Sequence, residues 1–439
     1  MAKKRVLIIG AAGRDFHNFN VVYRQDRQIE VVAFTAAQIP GIADRRYPAS
    51  LAGRISYPRG IPIEEEKNLE KIIKGKKIDE CIFSYSDVSY DTLMNIGSRV
   101  LSAGAKFSLL GPNQTMLESK KPIIAVVAVR TGCGKSPTTR RIVEILREAG
   151  KKVVVIRHPM PYGNLEKQEV QCFQTMEDLE KNHCTIEEME EYEPHIAMNT
   201  VVCAGVDYEK ILRRAEKEAD VIVWDGGNND LSFYRPDLTI TVADPHRAGH
   251  ETRYYPGNVN FRLADAIVIT KINSADPESV KIIVNNVKQQ NPSARIIKAE
   301  STFKLDSPWD PKWKKALVIE DGPTMTHGET GFGAGFIVAR NHGATVIDPR
   351  PYAVGSIGKI FTRYPHIGLV LPAMGYGEKQ MKELEKTIAL AECDVVVVAT
   401  PINLARHIKM RRPYVRVEYD LFEKAKKELK KIMKEKKII

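Results

Sequence analysis

An α/β fold, with parallel sheets flanked by helices, follows from three observations in the 439-residue chain. Short β-branched runs alternate with amphipathic stretches, the pattern of parallel strands joined by helical crossovers. The alternation stops at Leu110-Gly111-Pro112 and restarts after Lys120-Lys121-Pro122, so the chain carries more than one such unit. A glycine-bearing loop at 129–136 lies between an apolar strand and a helix, the place where such sheets cradle phosphate.

Taken in order, residues 6–9, 30–34, 79–85 and 106–110 read as strands, with helices at 68–74 and 91–103. They predict a Rossmann-like domain over 1–118, a possible substrate or nucleotide binder. A second domain is expected over 119–345. It begins with strand 123–128, helix 138–149 and strand 152–156, and continues with helix 208–218 and strands 220–224, 238–242, 266–270, 295–298 and 316–319. It is interrupted at 164–195 by an insert with ten acidic residues against two lysines, where Thr185 and Glu188 have capping-box spacing. Residues 346–439, with strands 368–371 and 394–398, are expected to complete this domain. The chain closes in a basic helix from Leu421, which reads as a solvated face because 420–439 holds eight lysines against four acids.

Composition removes several classes. A chain 43% hydrophobic and 28% charged can bury real cores and is not disordered. It has no uninterrupted apolar run long enough for a membrane span, and the N-terminal run is too short for a signal peptide. The six cysteines are scattered, with no C-x-x-C pair. That argues against a zinc or disulfide framework and for a cytoplasmic protein. The net charge of +11 survives the acidic insert, so the remaining body is basic and suits a small polyanionic substrate. Without an aromatic RNA-binding signature or a helix-turn-helix, nucleic acid is not the expected partner. Lys/Glu richness points to a thermophile.

The strongest chemical signal is Val129-Arg-Thr-Gly-Cys-Gly-Lys-Ser136, a P-loop with valine in place of its first glycine. Thr131, Gly132, Cys133 and Gly134 would offer backbone N–H groups to a nucleotide. Lys135 would meet the β- and γ-phosphates, and Ser136 would ligate Mg²⁺. Asp225, ending strand 220–224 before Gly226-Gly227, stands where a carboxylate partner of Mg²⁺ belongs, and Asn228, Asn229 and Asp230 follow. Thr270-Lys271-Ile272-Asn273 resembles the guanine-reading motif, but Asn273 offers one acceptor oxygen where aspartate offers two, which favours ATP over GTP. Asn403, after another strand, is a second candidate for base contact.

Two loops are dense in anion-binding groups. Residues 244–262 bring Arg247, His250, Arg253 and Arg262, and 320–329 bring His327 among glycines and hydroxyls. Arg14 and His17 lie in a polar elbow, 10–20, after the first strand, where open α/β sheets bind ligands.

Arg130 stands where relatives of nitrogenase iron protein, dethiobiotin synthetase and the nickel-insertion GTPases carry a second P-loop cation. That resemblance implies phosphate neutralisation, often across a dimer, and hence a homo-oligomer. More broadly, 10–20, 171–195, 224–230, 244–260, 320–328 and 400–404 resemble a group of archaeal and thermophile P-loop NTPases akin to cyclic 2,3-diphosphoglycerate synthetase. The likeness to the group spans nearly the whole chain. The likeness to the synthetase rests on the P-loop half and the 320–328 loop. It implies an ATP- and Mg²⁺-dependent phosphoryl transfer that closes a bisphosphate into an anhydride, with Lys135, Asp225 and Arg130 catalytic. The alternatives are a metal-insertion or regulatory GTPase acting with a protein partner, or a nucleotide-binding protein with an NAD- or CoA-like first domain.

Overall fold

The computed structural model describes residues 2–11, 13–36, 45–158, 163–227, 230–326, 328–374, 378–421 and 423–439. It is an α/β protein whose main strands form three sheets. The first is ordered Arg46–Tyr47, Ile61–Glu65, Ile29–Ala36, Lys4–Ile9, Glu80–Phe83, Lys106–Leu109, and only its short first strand runs antiparallel. Val6 to Ile9 are fully buried, as expected of a central strand covered on both faces.

The second sheet has eight strands, in the order Val170–Phe173, Val201–Gly205, Val153–Arg157, Val221–Asp225, Ile123–Ala128, Leu238–Ala243, Ala266–Ile269, Arg295–Lys298. Of these only Val170–Phe173 runs antiparallel. Val221–Asp225 pairs directly with Ile123–Ala128, so Asp225 ends beside the strand that feeds the P-loop. The central strands Val153–Arg157, Val221–Asp225, Ile123–Ala128 and Ala266–Ile269 are buried throughout and mostly apolar, as expected of strands covered on both faces.

The third sheet takes Ser301–Leu305, Tyr414–Leu421, Val395–Ala399, Lys315–Asp321 and Thr345–Val346, with Leu371–Ala373 also pairing with Lys315–Asp321. It has its own core, built on Leu317, Val318, Val396 and Val397. Strand pairing therefore does not follow the boundary expected at 345. Strand 316–319, read as part of the second sheet, pairs instead with Thr345–Val346 and Val395–Ala399. A strand's periodicity shows that it is buried but does not name its partner.

Two further expectations change. Cys172 and Cys203 form a disulfide, contrary to the reading from cysteine spacing. They are 31 residues apart in sequence but directly opposite in the antiparallel register of Val170–Phe173 and Val201–Gly205. The C-terminal helix Glu423–Glu435 is not simply a solvated face. Ala425, Leu429, Ile432 and Met433 are buried in the core of the second sheet. Lys426 pairs with Glu144 (2.9 Å) and Glu148 (2.6 Å) on the helix that follows the P-loop. Leu429→Ala is thus expected to lower unfolding free energy by about 2–5 kcal/mol, read by urea denaturation, whereas a solvated face would lose almost nothing.

Candidate functional site

Ile123–Ala128 delivers the chain to the glycine loop, and helix Lys135–Glu148 leaves it. Gly132 and Gly134 have φ of 80° and 95°, a region that favours glycine. A Cβ on Gly132 would lie 2.8 Å from the Thr324 methyl, so the loop also needs glycine for close approach to the third sheet's 322–335 segment. Between them lies a cavity of about 380 Å³, walled on one side by Gly132, Gly134, Lys135 and Ser136 and on the other by Glu320 and Asp321.

Behind the cavity-lining Lys135 and Arg157, Asp225 is buried and ringed by donors. Its Oδ1 lies 2.5 Å from Lys135 Nζ and 2.9 Å from Arg157 Nη1, and accepts a hydrogen bond from Thr139 Oγ1 at 3.0 Å. His195 Nε2 lies 3.2 Å from Oδ2. Burial alone would push this carboxyl up, but Arg157 and Lys135 outweigh it and hold Asp225 well below the carboxylate range. Burial, with Arg157 adding to it, lowers the Lys135 ammonium. Arg157 also pairs with Glu191, so the helix Ile186–Ala197 of the acidic insert turns carboxylates into the cavity instead of out to water.

The opposite wall is acidic. Glu320 ends a buried strand and accepts from the Phe336 N–H at 3.0 Å. Burial pushes it up to about 8, and Asp321 beside it to about 6. The folded state therefore holds a proton on Glu320 that the unfolded chain releases near pH 4. Stability should fall as pH rises from about 4 to about 8 and level off above, by at most about 1.4 kcal/mol per unit. Glu320→Gln, always neutral, should remove the part of that slope above about pH 6, leaving below it the share of Asp321. Melting curves at pH 5 and 9 that fall in parallel for both proteins would contradict it.

The residues singled out from sequence divide into three groups. Lys135, Ser136, Gly132, Gly134, Thr131 and Arg247 line the cavity, with Cys133 buried beneath the loop. Lys271 also lines it, with its Nζ bonded to Gly132 O (2.7 Å) and Asp244 (2.6 Å), which braces the loop.

Arg130 lines the cavity, but its guanidinium is engaged by protein groups. Asp87 of the first unit lies 2.6 Å from Nε, Glu329 of the third 3.3 Å from Nη2, and the Tyr254 ring 3.7 Å below. His250 Nδ1 lies 2.9 Å from Nη1, and burial together with Arg130 pushes His250 down to about 4, so it is neutral. Arg130 thus ties the three sheets together at the site.

The remaining residues are not brought in. Asn273 exchanges two 3.0 Å hydrogen bonds with the Ser301 backbone, so its amide is spent joining sheets and does not line the cavity. The argument for ATP from this side chain therefore lapses. Asn403 does not line the cavity, and Arg253 and Arg262 are exposed, Arg262 bonding Asn258 at 3.1 Å. His17 stacks on Phe233 with ring centres 4.0 Å apart, and its Nε2 lies 2.7 Å from Thr115 O. Arg14 pairs with Asp230 at 3.5 Å. His327, Asn228 and Asn229 lie outside the described residues.

Sequence reading did not single out Arg157, His195 or Glu191, and it took Glu320 and Asp321 only as the start of an anion-binding loop. Arg157, Glu320 and Asp321 left the same trace as Asp225, an ionisable residue closing an apolar strand.

No family model matches the chain. Arginine synthetase ArcE of Thermococcus kodakarensis is 57% identical over 434 residues, 99% of this chain and 97% of that protein. A cyclic 2,3-diphosphoglycerate synthetase of Thermococcus sibiricus is 24% identical over 291 residues, 58% of this chain and 64% of that protein. Among solved structures, LpxK from Aquifex aeolicus in complex with ATP matches at 13% identity over 79% of this chain and 96% of that one, with a TM-score of 0.43.

Proposed function

The chain belongs to the family of arginine synthetase ArcE, and from that premise we propose that it is an ATP-dependent ligase whose product is arginine. The observation that carries the reading is the pairing of a cationic floor with an acidic wall across one cavity. Lys135 and Arg157 suit the triphosphate of ATP, and Glu191, Glu320 and Asp321 suit a group that becomes a guanidinium. Phe303, Ile337 and Pro401, which also line the cavity, supply apolar surface for adenine.

A ureido oxygen is a poor leaving group, so forming a guanidinium from a ureido amino acid needs that oxygen activated. In the proposed reaction the bond from the γ-phosphorus of ATP to its bridging oxygen breaks, and the ureido oxygen bonds to phosphorus. Ammonia then bonds to the ureido carbon and sheds a proton. The C–O bond breaks, releasing phosphate with that oxygen. Lys135 stabilises the charge on the transferred group, the usual work of a P-loop lysine. Asp225, Thr139 and Arg157 fix its position.

Ser136 and Asp225 fit Mg²⁺. Ser136 lines the cavity, and Asp225 lies behind Lys135 with its Oδ2 3.2 Å from His195 Nε2. When bound, the ion would neutralise the β- and γ-phosphate oxygens.

The diphosphoglycerate reading relied on three arginines from one loop, of which only Arg247 reaches the cavity. The test is incubation of the purified protein with ATP, Mg²⁺, ammonium and a 5-ureido α-amino acid, with arginine and ADP assayed together. Equal yields are expected. ADP without arginine, or turnover only with 2,3-diphosphoglycerate, overturns the reading.

A further inference from the structure

The first sheet reverses its winding between strand Lys4–Ile9 and strand Glu80–Phe83, which lie side by side. Open α/β sheets take ligands at the carboxyl ends of the strands flanking such a switch. Helix Arg14–Asn18 stands at the end of Lys4–Ile9, and Ser84 directly follows Glu80–Phe83.

Arg14 is only 6% exposed. Its Nε lies 3.5 Å from Asp230 Oδ1, and its guanidinium carbon sits 5.0 Å from the centre of the Phe233 ring. Its Nη1 and Nη2 are buried with no acceptor among the described residues. One turn on, Asn18 donates from Nδ2 to Ser84 Oγ at 2.9 Å, and its buried Oδ1 has no donor among the described residues. Positions four apart share a helix face, so two donors and one acceptor on this face have no partner among the described residues. Burying such groups unsatisfied is costly, and a guanidinium fork is matched by a carboxylate that accepts both N–H groups. Asp230 continues the line, since its Oδ2 lies 3.0 Å from His158 Nε2, and His158 is part of the P-loop cavity wall.

We propose that this switch point is the α-amino-acid end of the substrate site: Arg14 receives the α-carboxylate and Asn18 Oδ1 the α-ammonium group. The side chain then runs past His158 toward Lys135. His17, stacked on Phe233 with its Nε2 beside Thr115 O, shapes the crevice without binding the anion. The assignment rests on the arginine-forming reading above, and it names the part of the substrate that the P-loop cavity does not.

The test is calorimetric titration of the full chain with arginine, with its decarboxylated analogue agmatine and with the 5-ureido α-amino acid, for wild type and Arg14→Lys, with an inert ATP analogue titrated as control. Wild type should bind arginine at least tenfold tighter than agmatine. Arg14→Lys keeps the charge and loses the fork, so it should bind arginine at least tenfold more weakly while its affinity for the nucleotide stays unchanged. Equal binding of arginine and agmatine by wild type overturns the assignment without needing any variant, so a poorly folded Arg14→Lys does not shelter it. A folded Arg14→Lys with wild-type affinity for arginine also overturns it. Those two results leave the arginine-forming reading standing. Wild type that binds neither arginine nor the ureido amino acid removes that reading, and this inference with it.

Discussion

Lys135→Ala should lower turnover by roughly 10²- to 10³-fold while leaving the protein folded, the scale of losing one preorganised contact to developing charge. The ammonium is 10% exposed and is held 2.5 Å from Asp225 at the edge of the glycine loop. Its removal does not strand Asp225, which keeps Arg157 at 2.9 Å, His195 at 3.2 Å and Thr139 at 3.0 Å. An unfolding midpoint near wild type, measured beside kcat, separates a lost chemical contact from a lost fold. A variant that retains its rate would take the P-loop out of the mechanism.

Asp225→Ala is expected to damage both fold and activity. It leaves Lys135 and Arg157 facing each other in a buried site, with Glu191 as the remaining carboxylate partner of Arg157. Breaking a buried ion pair by removing one partner costs about 3–5 kcal/mol. The pH dependence has a definite sign. The folded-state value of Asp225 is depressed, so its stabilisation is present above the unfolded value of about 3.9 and is lost as pH falls through the lower folded value. Urea denaturation of wild type should weaken below about pH 4, and Asp225→Ala should start weaker and lose less over that range. Equal acid sensitivity in the two proteins would place the stabilising charge elsewhere.

How much of this was legible in the chain depended on whether a residue's partner is local. Lys135 and Ser136 declare themselves because strand, glycine loop and helix are consecutive. Asp225 does so because a charged residue closing a β-branched strand points to the sheet's carboxyl edge. Asn273 misled for the same reason: its motif is local, but the group it bonds, the Ser301 backbone, belongs to another sheet. The third sheet was hidden because Lys315–Asp321 pairs in parallel with Val395–Ala399, nearly eighty residues away, and parallel pairing leaves no turn to read. The role of the acidic insert was not legible, because Glu191 meets Arg157 through a contact that neither residue's neighbours announce.

The central claim is that the γ-phosphoryl group of ATP passes to an oxygen of the amino-acid substrate. Its most direct test is to supply the ureido amino acid with ¹⁸O at the ureido oxygen, run the reaction with ATP and ammonium, and analyse the products by mass spectrometry. The account predicts one ¹⁸O in each inorganic phosphate released, with ADP and arginine in equal amount. Label in AMP, or phosphate free of label while arginine accumulates, would contradict it.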